Sequence, residues 1–179
     1  LTLKRMIYTF LTFLVFFVFV FILFTPVTLM YMILGPNTEK KRYPNHKIVA
    51  GIMGIALKLL PEVKFNVDYK FGETFEKPAV VIANHQSHLD LLCMMVLHPK
   101  MVLLTTDWVW KNPVYGVPLR FLEYYPVSDG YDKNVERLKN LVKRGYSVMV
   151  FPEGTRSETG EILRFHKGAF QLAQALNVV

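Results

Sequence analysis

Ala79-Val80-Val81-Ile82-Ala83-Asn84-His85-Gln86-Ser87-His88-Leu89-Asp90 is the stretch that decides the fold of this chain. Its first five residues are uniformly apolar, as in a strand buried on both faces of a parallel sheet. Ser87 is a candidate helix cap, and Leu89 to Leu97 supplies the helix behind it. Met101 to Leu104 and Ser147 to Phe151 read as two more buried strands. Between them Val135, Leu138, Leu141 and Val142 share one helical face, and Lys143-Arg144-Gly145 makes a favourable helix end. Strands alternating with helices predict an α/β domain, its largely parallel sheet flanked by helices. Upstream, Val63, Phe65, Val67 and Tyr69 alternate with more polar residues and predict a half-exposed strand. Trp108 to Tyr125 is broken into short pieces by Pro113, Gly116 and Pro118.

From Met6 to Leu34 there is no charge and no glycine. About 20 helical residues cross a bilayer core, so this run is long enough to span. Two readings stand: one tilted transmembrane helix, or two short re-entrant helices broken at Thr25-Pro26. A cleaved signal peptide fits less well, because the run is too long and no small-residue cleavage site follows it. A helix of a soluble core also fits poorly, since no face is polar. Lys40-Lys41-Arg42 and Lys47 then form a basic juxtamembrane segment, suited to an anionic leaflet or to positive-inside topology. Ile48 to Leu60 reads as an interfacial helix or one packed on the domain. The expected division is a membrane anchor over 1–35, a basic segment with its helix over 36–61, and the α/β domain over 62–179.

The net charge of +7 accordingly points to a membrane surface, with the domain on the cytoplasmic side. Nucleic acid is a poor alternative, because the charge is not gathered on a reading element. The single cysteine, Cys93, excludes an internal disulfide and fits a reducing compartment.

Two motifs carry the chemistry. His85 follows a strand, where functional groups of open α/β sheets gather, and Asp90 lies five residues on across the turn. A carboxylate on one imidazole nitrogen leaves the other as a base. The plainer alternative makes Asp90 a first-turn acid of a helix capped by Ser87. A metal site at His85, His88 and Asp90 ranks low, for want of further ligands. The second motif, Phe151-Pro152-Glu153-Gly154-Thr155-Arg156-Ser157, closes another strand and projects a carboxylate and a guanidinium from a glycine turn. Alone, Glu153 and Arg156 would suit a surface ion pair. A parallel sheet places both motifs along one edge.

Together with Phe165 and Lys167-Gly168-Ala169, these motifs resemble the glycerolipid acyltransferase family, which includes the lysophosphatidate acyltransferases. The resemblance runs from about Ala79 to the end of the chain. It implies transfer of an acyl group from acyl-CoA or acyl-carrier protein to a hydroxyl of a membrane lipid, a lysophosphatidate-type acceptor in phospholipid synthesis. His85 would be the base and Asp90 its partner, with Glu153, Gly154, Thr155 and Arg156 binding the acceptor. No metal, bound cofactor or covalent acyl-enzyme is implied.

The chain departs from the family's pattern at Tyr124-Tyr125-Pro126-Val127-Ser128-Asp129, where Asp129 replaces an arginine that helps hold the acceptor phosphate. Either Lys111, Arg120 or Lys133 compensates, or the acceptor is another lipid, such as an acylated amino acid. A noncatalytic lipid-binding module of the same fold is the alternative from a different class. The family's last motif would lie just beyond Val179, so we expect a fragment truncated at its C-terminus, cut from a longer or multidomain protein.

Overall fold

The structure is a computed structural model and describes residues 2–34, 38–61, 63–69, 72, 74–87, 89–114, 116–157 and 159–178. From Leu3 to Ile33 the chain forms one helix of 31 residues. It comprises α1 (Leu3–Phe17), a π-helical stretch (Val18–Phe24) and α2 (Thr25–Ile33). The break expected at Thr25-Pro26 is absent. The Thr25 N–H bonds the Val20 carbonyl, five residues back, and this wider turn relieves the crowding that Pro26 would cause in α geometry. No residue of α1 is buried, whereas Phe19, Val20, Phe24 and Thr28 are.

Those buried residues face α3 (Glu39–Leu59), which folds back antiparallel to the first helix. The Asn45 amide donates to the Thr28 hydroxyl at 3.3 Å, with both residues buried. The basic cluster at 40–42 lies in the first turns of α3, so the expected juxtamembrane segment and interfacial helix are one element.

The remaining elements are β1 (Val80–Ile82), α4 (Leu89–Leu97), β2 (Met101–Thr105), α5 (Asp107–Lys111), α6 (Gly116–Phe121), β3 (Tyr125–Pro126), α7 (Tyr131–Lys143), β4 (Ser147–Val150) and α8 (Gly168–Leu176). The strands run parallel in the order β1-β4-β2-β3. Val148 of β4 pairs with Val80 on one side and Val102 on the other. Among the described residues, β1 is thus an edge strand, paired with β4 alone. Val80 and Val81 are half-buried and Ile82 is exposed, where the sequence predicted full burial.

Residues 63–69 form no strand. Alternation selects a face, but a strand also needs a neighbour's ladder, and β1 makes its own with β4.

The chain passes over β4's place in going from β1 to β2, and returns from β3 to β4. Right-handed crossovers in opposite directions put α4 and α7 on opposite faces. On α4's side lie α3 and the α2–α6 pair; on the other side α8 packs against α7. Val102, Leu122, Leu138, Leu141, Val148 and Met149 form the centre of the core between them.

At the amino ends of the strands an ion network joins α3 to the sheet. Arg144 reaches Glu39 at 3.0 Å and also pairs with Glu123, which meets Arg42 at 2.6 Å. The Tyr146 hydroxyl donates to Glu39 at 2.8 Å. His46 of α3 lies buried beside the rings of Tyr124 and Tyr146. Burial lowers its pKa to about 3, outweighing its hydrogen bond to the Leu122 carbonyl.

Candidate active site

After β1 the chain turns through Asn84 to Ser87 and enters α4, whose second residue is Asp90. Oδ2 of Asp90 accepts the backbone N–H groups of Gln86 at 2.7 Å and Ser87 at 2.8 Å. The same oxygen lies 2.9 Å from Nδ1 of His85. The Ser87 hydroxyl in turn accepts the Leu89 N–H at 3.0 Å. The contacts of a first-turn acid and of a histidine–carboxylate pair therefore coexist on Asp90. Burial alone would raise the Asp90 pKa; hydrogen bonds from Ser87, Gln86 and His85 outweigh it and hold the pKa below its ordinary value. An ionised Asp90 keeps the imidazole proton on Nδ1 and leaves Nε2 as the acceptor nitrogen. The ring is stacked on Phe151, with centroids 4.0 Å apart, which limits its rotation.

Glu153 was expected to project into an acceptor cradle, and the structure puts it elsewhere. It is 3% exposed, and its two oxygens accept the N–H of His85 at 2.8 Å and the N–H of Leu163 at 2.9 Å. The N–H of Ser157 donates to the His85 carbonyl at 2.9 Å. The second motif therefore grips the backbone of His85 on both sides. Beside it Gly154 has φ +71°, a left-handed conformation that favours glycine. His166 lies against this turn, its N–H bonded to the Pro152 carbonyl at 2.8 Å. Thr155 and Arg156 are exposed there. Sequence reasoning passed over His166; the signal available was its place beside Lys167-Gly168-Ala169.

The three candidate auxiliary cations are engaged elsewhere. Lys111 pairs with Asp107 at 3.3 Å. The Arg120 guanidinium donates to the Trp110 carbonyl at 2.9 Å and lies over the indole ring. Lys133 is 3.5 Å from Asp129. Arg137, which sequence reasoning did not single out, also pairs with Asp129 and stacks on Tyr125. These cations hold the Asp129 pKa below its usual value, with the Arg137 hydrogen bond foremost.

An apolar groove of about 220 Å³ lies between the first helix, α3 and the start of α4. Its walls include Phe13 and Phe16 of α1, Met53 of α3, Leu60, and Leu89 and Leu92 of α4. His88, one of the three residues weighed as metal ligands, lies outside the described residues. Among the described residues, no three His, Cys, Asp or Glu side chains come together as a metal site.

The fold is that of a crystal structure of the 1-acyl-sn-glycerophosphate acyltransferase PlsC from Thermotoga maritima, with a TM-score of 0.77 over 98% of this chain and 71% of that one, at 24% identity. Curated relatives include a chloroplastic 1-acyl-sn-glycerol-3-phosphate acyltransferase of Arabidopsis thaliana, 28% identical over 74% of this chain and 38% of the relative. The human 1-acyl-sn-glycerol-3-phosphate acyltransferase alpha is 30% identical over 65% of this chain and 47% of its own length. The chain thus spans between about a third and a half of the curated relatives it matches. The acyltransferase family profile matches residues 60–179, which hold both motifs and every strand of the sheet. The chain belongs to the acyltransferase family.

Proposed function

We propose that this chain carries the transfer site of a membrane-bound O-acyltransferase. It moves a fatty acyl group from acyl-CoA or acyl-carrier protein to a hydroxyl of a lysophosphatidate-type acceptor, in phospholipid synthesis. The observation that carries this reading is the 2.9 Å contact between His85 Nδ1 and an Asp90 already fixed by two backbone N–H groups. Nε2 of His85 takes the proton of the acceptor hydroxyl as its oxygen attacks the thioester carbonyl. The tetrahedral intermediate then expels the thiolate, which recovers that proton from the imidazolium. Asp90 supports the cation between the two steps.

Glu153 acts as a positioning residue, while Gly154, Thr155 and Arg156 border the acceptor. The groove walled by Leu89 and Leu92 of α4 accommodates the acyl chain. Neutralisation of Asp129 by Arg137 and Lys133 removes the objection to a phosphate-bearing acceptor. The names of the relatives support the same acceptor class. In this reading residues 1–35 anchor the chain, α3 links anchor to sheet, and the domain from about residue 62 works at the cytoplasmic side of the membrane.

The test is product formation from acyl-CoA or acyl-carrier protein with lysophosphatidate or a phosphate-free lipid acceptor, read by mass spectrometry. His85→Ala should lower transfer by roughly 10²–10⁴-fold with the fold intact. Near-normal transfer by that variant would refute the mechanism. No transfer by the unaltered chain would favour the noncatalytic module. A product lacking phosphate would reassign the acceptor.

A further inference from the structure

Hydrogen bonds fasten the connection from β4 to α8 onto the His85 motif at several points. The Ser157 N–H donates to the His85 carbonyl at 2.9 Å, and the Gln86 side-chain amide donates to the Gly160 carbonyl at 2.9 Å. Further along, the Leu163 N–H donates to Glu153 at 2.9 Å and the His166 N–H to the Pro152 carbonyl at 2.8 Å. Among the described residues of this connection, 157–166 form neither helix nor strand, and Ile162, Leu163 and Phe165 are exposed. Burial therefore contributes little to holding the segment in place. Polar bonds to the site hold it, which is the mark of a functional loop on a rigid scaffold.

This arrangement brings His166 to the Gly154 turn. Its ring atoms Cδ2 and Nε2 lie 3.6 and 3.9 Å from where a side chain on residue 154 would begin. His166 is exposed, and so are Thr155, Arg156, Arg164 and Lys167 on the same connection. Of the acids there, Glu153 is buried with both oxygens bonded, and Glu161 is exposed. Glu158 lies outside the described residues.

Distance decides which groups can serve an acceptor held by His85. In lysophosphatidate only one carbon–carbon bond and an ester oxygen separate the reacting hydroxyl from the phosphate, so the phosphate stays beside the base. Gly154 follows β4, the immediate neighbour of β1. Asp129, Lys133 and Arg137 follow β3 at the far edge of the sheet, three strand spacings or about 14 Å from β1. Lys111 and Arg120 are held by Asp107 and the Trp110 carbonyl.

We propose that His166 binds the phosphate of the acceptor, donating a ring N–H to a phosphate-monoester oxygen over the Gly154 turn. It takes the part of the arginine that Asp129 replaces, with Arg156 bordering the same phosphate. His166 thereby sets the preference for a phosphate-bearing acceptor, while proton transfer stays with His85. The inference rests on the proposed acceptor class and deepens it.

The test compares His166→Ala and His166→Arg. Residue 166 is tied down through its backbone N–H, so both variants keep that bond. Equilibrium binding is measured on the chain in detergent micelles, with labelled lysophosphatidate, monoacylglycerol and coenzyme A as separate ligands. Transfer is measured alongside. We expect His166→Ala to weaken lysophosphatidate binding roughly tenfold, as for loss of one hydrogen bond to a charged group. Monoacylglycerol binding stays unchanged, and His166→Arg restores the phosphate ligand. In the transfer assay the alanine variant raises KM for lysophosphatidate and leaves kcat unchanged. Unaltered lysophosphatidate affinity overturns the proposal. An equal loss for monoacylglycerol gives His166 a merely structural role and overturns it too. Weakened coenzyme A binding alone assigns the residue to the donor's phosphate monoester, which also overturns it. Phosphate-dependent binding that His166→Ala weakens, without any transfer by the unaltered chain, upholds the phosphate site and refutes the transferase reading instead.

Discussion

Burying a carboxylate is costly unless its oxygens are bonded, and both oxygens of Glu153 are engaged by backbone N–H groups. One belongs to His85 and the other to Leu163, so this side chain sets the height of the base above the sheet. Glu153→Ala leaves two N–H groups without their acceptor and should cost about 1–3 kcal/mol of stability. Transfer should fall further than the loss of folded protein explains, because His85 drifts from Asp90. Thermal unfolding alongside rate per folded molecule separates the two effects. A normal rate in the folded fraction would remove Glu153 from the positioning role.

The sequence marked Glu153 as important yet misplaced it, since linear spacing does not reveal a partner 68 residues away. The contact of His85 with Asp90 was legible because both lie on one strand-to-helix turn. The answer to Asp129 was half legible. Lys133 is one helical turn away, but Arg137 becomes a partner only because α7 begins immediately after the turn.

At the scale of elements, α3 carries a pH dependence. His46 has a pKa of about 3 in the fold, against 6.5 for a free histidine. Between those values the unfolded chain binds a proton that the folded chain does not. Stability is therefore fully present above pH 6.5 and declines as the pH falls towards 3, by up to about 1.4 kcal/mol per pH unit. Denaturant unfolding in detergent at several pH values should show this slope, and His46→Gln should flatten it. An equal slope in both chains would assign the proton uptake to other groups.

The helices around the sheet were readable from periodicity and caps, and Leu89–Leu97 falls where the sequence put it. The run over 63–69 misled, because alternation reports a face and not a partner. The edge position of β1 was hidden for a related reason: five apolar residues in a row do not reveal how many neighbours a strand has.

At the scale of the whole molecule, the Arg144 network is the joint between the helical hairpin and the sheet. Arg144 bonds Glu39 of α3 and Glu123 next to β3 from the end of α7. Removing one partner of a buried ion pair costs roughly 3–5 kcal/mol, and partial exposure here reduces that to on the order of 2 kcal/mol for Arg144→Ala. Hydrogen exchange should quicken in the first turns of α3 while α7 keeps its protection. Unchanged exchange in α3 would place the joint elsewhere. A joint of this kind is invisible in sequence, because its members are separated by up to about a hundred residues.

The π-helical stretch of the first helix has a geometric consequence. Each α-helical residue advances the direction of its side chain by about 100°, and a π turn takes in one residue more than an α turn. Val18–Phe24 therefore works as a phase shifter between the two halves of the helix. Behind it, Thr28 is aimed at Asn45; ahead of it, Phe13 and Phe16 are aimed across the groove at Leu89 and Leu92. The bearing of the groove wall is thus set by the length of this stretch, independently of the bond that moors the helix.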